Sequence, residues 1–268
     1  MSPPLSALPP LLVASPPPPP RPASGVAGGE RADLLPLGSA LLGFLRRLSR
    51  HADREWLRAH RAEHEEAVVL PLRALLVRWV SVLGPLIPGL APDAHRRGLL
   101  RVYRDARFVA AGASPFHGRV GLQLRHRAST AGAPAPSVTL RLEPGASALQ
   151  IGLPRAAPGA MRLLRGALID DPVLWSQLAG SMEVAGGRWI GAPGVLPRSL
   201  ARAPAHLHPF LTRRTLAVEW PLTDTQVAEG DLTAFALPLV EAAAPLLRFQ
   251  CLALGLQAGV GSTLPAGR

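Results

Sequence analysis

Lysine and asparagine are absent from this chain of 268 residues, and cysteine and tyrosine occur once each. All 29 basic residues are therefore arginine. Without lysine there can be no Schiff base, no Walker-type phosphate lysine and no lysine general base. Without asparagine there is no N-glycosylation acceptor and no Cys-His-Asn arrangement. The lone thiol, Cys251, rules out an internal disulfide and any multi-cysteine zinc site; set in the apolar run Leu247–Leu256, it reads as a small buried hydrophobe. Six Phe, five Trp and one Tyr are too few and too scattered to suggest a base-stacking platform, so nucleic acid is not the expected partner. Long apolar runs are missing too. The greasiest window, Ala67–Leu90, is interrupted by Pro71, Arg73, Arg78 and Pro85 and reads as core helices, so no membrane partner is expected either. Near the start, no arginine precedes the apolar patch Leu11–Val13 and prolines break it, a poor secretory pattern; the expected location is the cytoplasm.

What the chain has in quantity is proline, at one end, and positive charge, in the rest. Eleven of its 30 prolines fall in the first 36 residues, including Pro16 to Pro20, and residues 1–37 are expected to form a disordered or polyproline-like tail. Residues 38–250 are expected to form one domain, large enough to bury a core of its own, and residues 251–268 a C-terminal tail. The tail's two arginines and two acids cancel, so the net charge of +11 belongs to the remainder and favours acidic small molecules or polyanions.

Periodicity then gives the order of elements. Ser39 is placed to cap a helix through Arg50 with Leu41, Phe44, Leu45 and Leu48 on one face, and Asp53 to cap a second carrying Trp56 and Leu57 inward. Pro71 falls at the first turn of a third helix, Leu72–Leu83, or kinks one long helix there. From Gly98 the period changes to two: Leu99–Tyr103, Arg119–His126, Val138–Glu143 and Ala148–Leu153 read as short strands separated by Gly- and Pro-containing turns. Pro158–Ile169 and Asp171–Ala179 return to helix, Thr215–Trp220 is a further strand, and a last helix over Asp231–Phe249 contains Pro238 and Pro245, which should bend or shorten it. The strand connections are too short for parallel crossovers. The pattern predicts an α+β fold with an antiparallel sheet covered by helices mainly on one side.

The segment carrying the most chemistry is Arg101-Val-Tyr-Arg-Asp-Ala-Arg-Phe108, followed by Ser114-Pro-Phe-His-Gly118. Three arginines surround one aspartate, and one carboxylate neutralises one guanidinium. The surplus points to an anionic small molecule. In this reading Arg104 and Arg107 clamp a phosphate or carboxylate and Asp105 fixes their geometry. Arg101, Tyr103, Ser114 and Arg119 complete the binding set, and His117 is the nearby side chain able to move a proton near neutral pH. A second account makes the same groups a partly buried ion network tying the sheet to the helical lobe, in a non-catalytic interaction protein. A third account is weak, non-specific nucleic-acid binding, and none of the three names a cofactor or a reaction.

Several stretches together resemble the family known as domain of unknown function 2461. They are Phe44-Leu45 with Leu48, Arg54-Glu55-Trp56-Leu57, Arg101–Phe108 with Ser114-Pro115-Phe116, Glu143-Pro144-Gly145, Gly152, His208-Pro209, Pro221–Asp224, and Pro245-Leu246 with Phe249. The resemblance runs from about residue 40 to 250 and implies no established activity. The family usually places lysines between the Arg-Phe and Ser-Pro pairs; this chain has Val109-Ala-Ala-Gly-Ala113 there, one residue longer. The resemblance implies that any anion site using those lysines is either lost here or rebuilt with His117 and Arg119.

Three other groupings have plainer accounts. His60 and His64 are spaced to share a metal on one helix face, yet lack a third ligand, and are expected to be ordinary helix histidines; no metal site is expected. His206 and His208 fit turn packing. Arg54, Arg58 and Arg61 form a stripe able to grip phosphates, but Glu55, Glu63, Glu65 and Glu66 interrupt it, which suits a charge-laced solvated face.

Overall fold

Strands β1 (Leu90–Pro92), β2 (Val120–His126), β3 (Ser137–Leu142), β4 (Ser147–Leu153), β5 (Arg188–Trp189) and β6 (Leu216–Leu222) pair in the order β1-β2-β3-β4-β6-β5, every pair antiparallel. This computed structural model describes residues 37–51, 54–92, 98–100, 102–104, 114–130 and 133–256. The expected N-terminal tail up to residue 36, the expected cap Asp53 and residues 257–268 lie outside them.

Register explains why the sheet has one dry face. Leu124 opposes Val138, which opposes Ile151, which opposes Val218; in the next row Leu122, Leu140, Leu149 and Trp220 line up, and all eight are buried. Side chains alternate across a strand, so the intervening positions fall on the other face. They form a polar row of Gln123, Thr139, Gln150, Glu219 and Arg188. Gln123 donates to Thr139 Oγ1 (2.9 Å), Gln150 donates to Glu219 (3.2 Å), and Arg188 pairs with Glu219 at 3.5 Å. An apolar face under helices and a polar outer face are what the period-two pattern predicts for an antiparallel sheet.

The helices are α1 (Gly38–Arg50), α2 (Arg54–Ala59), α3 (Arg61–His64), α4 (Leu70–Leu83), α5 (Pro158–Asp170), α6 (Pro172–Val184), α7 (His208–Leu211), α8 (Asp224–Glu229) and α9 (Leu232–Ala253). Helix α9 lies on β4 and α4 on β2, with α5 and α6 packed against α9, and one continuous core joins them. Asp171 caps α6 by accepting from the Leu174 N–H, Thr223 and Gln226 form a reciprocal capping box on α8, and Asp231 caps α9.

Three expectations need correction. Ser39 does not cap α1: the helix begins at Gly38, and the cap position belongs to Leu37, whose burial in the core fixes the chain entry. Helix α9 is not shortened by Pro238 and Pro245 but runs through both to Ala253. A proline inside a helix costs about 3 kcal/mol, and burial of Leu232, Ala236, Val240, Leu246, Leu247 and Phe249 along the same helix outweighs it. Pro71 is as expected: it sits in the first turn of α4, and α4 continues the preceding helical turns without a break. The wide turn Glu65–Val69, closed by the Leu70 N–H on the Glu65 carbonyl, absorbs the missing donor. Lastly, Leu99–Tyr103 is not a regular strand.

That last segment positions the candidate site. Leu90–Pro92 pairs with His126–Leu124, and Leu99 bridges Leu122 further along the same partner strand. Further out, Tyr103 bridges Phe116. Between the two bridges the first strand advances four residues and its partner six, so the partner carries two extra residues, while Gly121 stays paired by accepting from the Leu100 N–H. Gly121 has φ +155°. The result is a short ribbon, residues 102–104 against 115–117, curling off the sheet toward the helices.

Candidate functional site

Four elements build the site: the ribbon, the end of α1, and the run α2–α3. On the ribbon, the Arg104 N–H donates to the Pro115 carbonyl (2.8 Å) and the His117 N–H to the Val102 carbonyl (2.6 Å). Pleating therefore puts Tyr103 and Phe116 on one side and Arg104 and His117 on the other. Phe116 is buried, and the Tyr103 ring rests against it with 5.4 Å between centroids. Ser114 Oγ donates to the His51 carbonyl just past α1 (3.4 Å) and accepts from the Phe116 N–H (3.3 Å), so it fastens the ribbon to the helical side.

Opposite the ribbon, α2 and α3 form nearly one helix, since the His60 N–H reaches the Trp56 carbonyl and the His64 N–H the His60 carbonyl. Its inner face is aromatic. Trp56 is stacked between His51 (4.5 Å) and His60 (4.1 Å), and Phe44 touches both Trp56 and His64. His60 Nδ1 donates to the Trp56 carbonyl at 2.8 Å. These contacts give His60 and His64 packing roles.

Between the helical run and the ribbon lies an open cleft of about 580 Å³, lined by Arg54, Leu57, Arg58, Arg61, His64 and Tyr103. Arg54, Arg58 and Arg61 recur at spacings of four and three, so they share one flank of the helix. None of the three makes an ion pair or side-chain hydrogen bond with the described residues, whereas Arg46, Arg47, Arg73 and Arg78 are each paired with an acid. Glu63, which interrupts the stripe in sequence, is taken by Arg47. Among the described residues, no acid lines the cleft. His64 adds no charge there: burial holds its imidazole below the ordinary value, a shift that nearby Glu65 only partly opposes. Its Nε2 is buried without a partner among the described residues.

The residues expected from the sequence are thus divided by the ribbon. Tyr103 lines the cleft and Ser114 anchors the ribbon. Arg104, His117 and Arg119 gather on the far side, where burial and then the charges of Arg119 and Arg104 push the His117 imidazole down against the opposing pull of Glu143. Arg104 and Arg119 are exposed and form no ion pair with the described residues. Arg101, Asp105 and Arg107 lie outside the described residues. Of the expected clamp, Arg104 lies on the far side of the ribbon from the cleft and Arg107 lies outside the described residues. Arg54, Arg58 and Arg61 are exposed, as the solvated face read from the sequence requires, and they also line one flank of the cleft. Their spacing is visible in the sequence, but the opposing wall comes from Tyr103, more than forty residues further on.

Residues 40–249 match the family described as conserved hypothetical protein (DUF2461). The chain belongs to this family. No curated protein and no solved structure matches it. Family membership spans α1 to α9, and so takes in both walls of the cleft and the whole sheet.

Proposed function

We propose that the protein binds a small molecule carrying phosphate or carboxylate groups in the cleft between α2–α3 and the ribbon. One observation carries this reading: three guanidinium groups, without acceptors among the described residues, line a single cleft whose described lining contains no acid. Its volume is in the range of small-molecule sites, and each guanidinium offers a planar fork matched to a carboxylate or phosphate edge. Leu57 and Tyr103 supply an apolar surface for the remainder of the ligand. Any chemistry at His117 would belong to the far side of the ribbon, beside Arg104 and Arg119, where an exposed basic patch also suits an acidic partner surface.

A thermal-shift panel of phosphates, nucleotides and organic acids on the full chain tests this. A ligand at a hundred times its dissociation constant should stabilise the fold by about 2.7 kcal/mol. The shift should vanish in the Arg58→Ala/Arg61→Ala double variant and persist in Arg104→Ala. A shift lost only with Arg104→Ala moves the site to the far side of the ribbon. If no member of the panel shifts the midpoint, the reading is wrong. Product formation, followed by NMR over the same panel, distinguishes an enzyme from a binding protein.

A further inference from the structure

Given an anion site in this cleft, as proposed above, the arrangement of its three arginines also specifies the kind of anion. Along a helix, residues four and three apart are displaced by about 6 and 4.5 Å of axial rise. Arg54, Arg58 and Arg61 therefore present their forks in a row rather than at one point. A single carboxylate fills one fork, so a monocarboxylate leaves two guanidinium groups unmatched. Like charges at these helical spacings repel one another, and no acid in the described lining relieves them. Glu63 is engaged by Arg47, and burial disfavours the charged form of His64. Among the described residues nothing balances the three guanidinium groups, and an occupant with two or three negative charges in sequence would match them.

The non-ionic walls add a second requirement. Leu57 is buried, while Tyr103 is 46% exposed and is braced from behind by Phe116. The two rings meet at 52°, so Phe116 steadies Tyr103, and a half-exposed ring in a cleft can serve as a platform on which a planar group stacks.

We infer that the cleft takes an organic di- or triphosphate, with the linked phosphate groups along Arg54, Arg58 and Arg61 and a planar organic group against Tyr103 and Leu57. The row of forks recognises the linked anionic groups, and the half-exposed ring recognises what they are attached to.

Calorimetric titration of the full chain with orthophosphate, pyrophosphate, tripolyphosphate, citrate, adenosine diphosphate and a short single-stranded oligonucleotide tests both parts. Pyrophosphate should bind at least tenfold more tightly than orthophosphate. Adenosine diphosphate should bind more tightly than pyrophosphate, and Tyr103→Ala should remove that second gain, so that the variant binds the two alike. Tyr103→Phe should retain it, which guards against a ribbon that has merely collapsed. Equal affinities for orthophosphate and pyrophosphate would overturn the inference and leave the anion-binding reading standing. Citrate binding more tightly than pyrophosphate would replace phosphate by polycarboxylate. An oligonucleotide outbinding tripolyphosphate, with affinity rising with its length, would replace the small molecule by nucleic acid. Failure of every anion to bind would remove both readings.

Discussion

Gly121 on β2 faces the backbone carbonyl of Leu140 on β3 so closely that a Cβ built on the glycine would overlap the carbonyl oxygen. Its φ of +155° is also one that side-chain-bearing residues rarely adopt. These constraints coincide where the edge bulges and the ribbon departs from the sheet. Gly121→Ala should therefore destabilise the protein by about 2–3 kcal/mol, read as a lower denaturation midpoint in urea. Gly145→Ala is the control: that glycine has φ +74° with open space around it, so it carries backbone strain alone and should cost about 1 kcal/mol. Equal losses would mean that the close approach to Leu140 is not what selects glycine.

His64 makes the fold sensitive to acid. Burial lowers its folded pKa below the ordinary 6.5, so the native state favours the neutral ring. The stability this contributes is fully present above pH 6.5 and is lost as the pH falls through the lower folded value. His117 shifts in the same direction. The urea midpoint should drop between pH 8 and pH 5, and His64→Gln should flatten that dependence. An unchanged slope in the variant would assign the acid sensitivity to other groups.

At the other end of the scale stands Cys251, on the last turns of α9, buried and with its thiol pushed up by burial to about 11. Its folded pKa lies above the ordinary 9.0, so its contribution is intact below pH 9 and disappears as the pH rises toward 11. Alkylation by iodoacetamide at pH 8 should be slow in the native protein and rapid in denaturant. Rapid native labelling would place the thiol nearer the surface than the packing of α9 indicates.

Asp224 ties three elements together, pairing with Arg46 of α1 and accepting from the Gly145 N–H (2.8 Å) in the β3–β4 turn. Both charged side chains are partly exposed, at 50% for Arg46 and 31% for Asp224, so the ion pair itself is worth less than about 1 kcal/mol. Asp224→Ala should cost more than Arg46→Ala, because only the former also strips the Gly145 amide of its acceptor. A double-mutant cycle in urea measures the difference; a larger loss from Arg46→Ala would show that the arginine has another role.

The sequence is most readable where one period rules a whole segment. Strands β2, β3, β4 and β6 alternate cleanly, and α5 and α6 meet at an Asp171-Pro172 boundary that carries its own stop and start signals. Strands β1 and β5 are hidden because three and two residues are too few to show a period. The course of α9 through two prolines follows from burial against the sheet, which local sequence does not encode. Of the Arg101–Phe108 motif, Val102 to Arg104 lie on the ribbon, and Tyr103 is the residue that reaches the cleft. The basic wall is masked in the sequence by glutamates placed to neutralise it. Only the fold shows that Glu63 turns to Arg47 instead.

The sheet's two margins have a bearing on how the protein behaves in concentrated solution. One is a three-residue strand ending in Pro92, which has no amide hydrogen to donate; the other is a pair of residues, one of them the exposed Arg188. Foreign strands add to a sheet through a continuous row of free backbone groups, and proline, charge and brevity each deny them that row. These two paired lengths of edge are thus poor templates for runaway stacking, and a chain that is nearly half apolar is spared one common route to fibres.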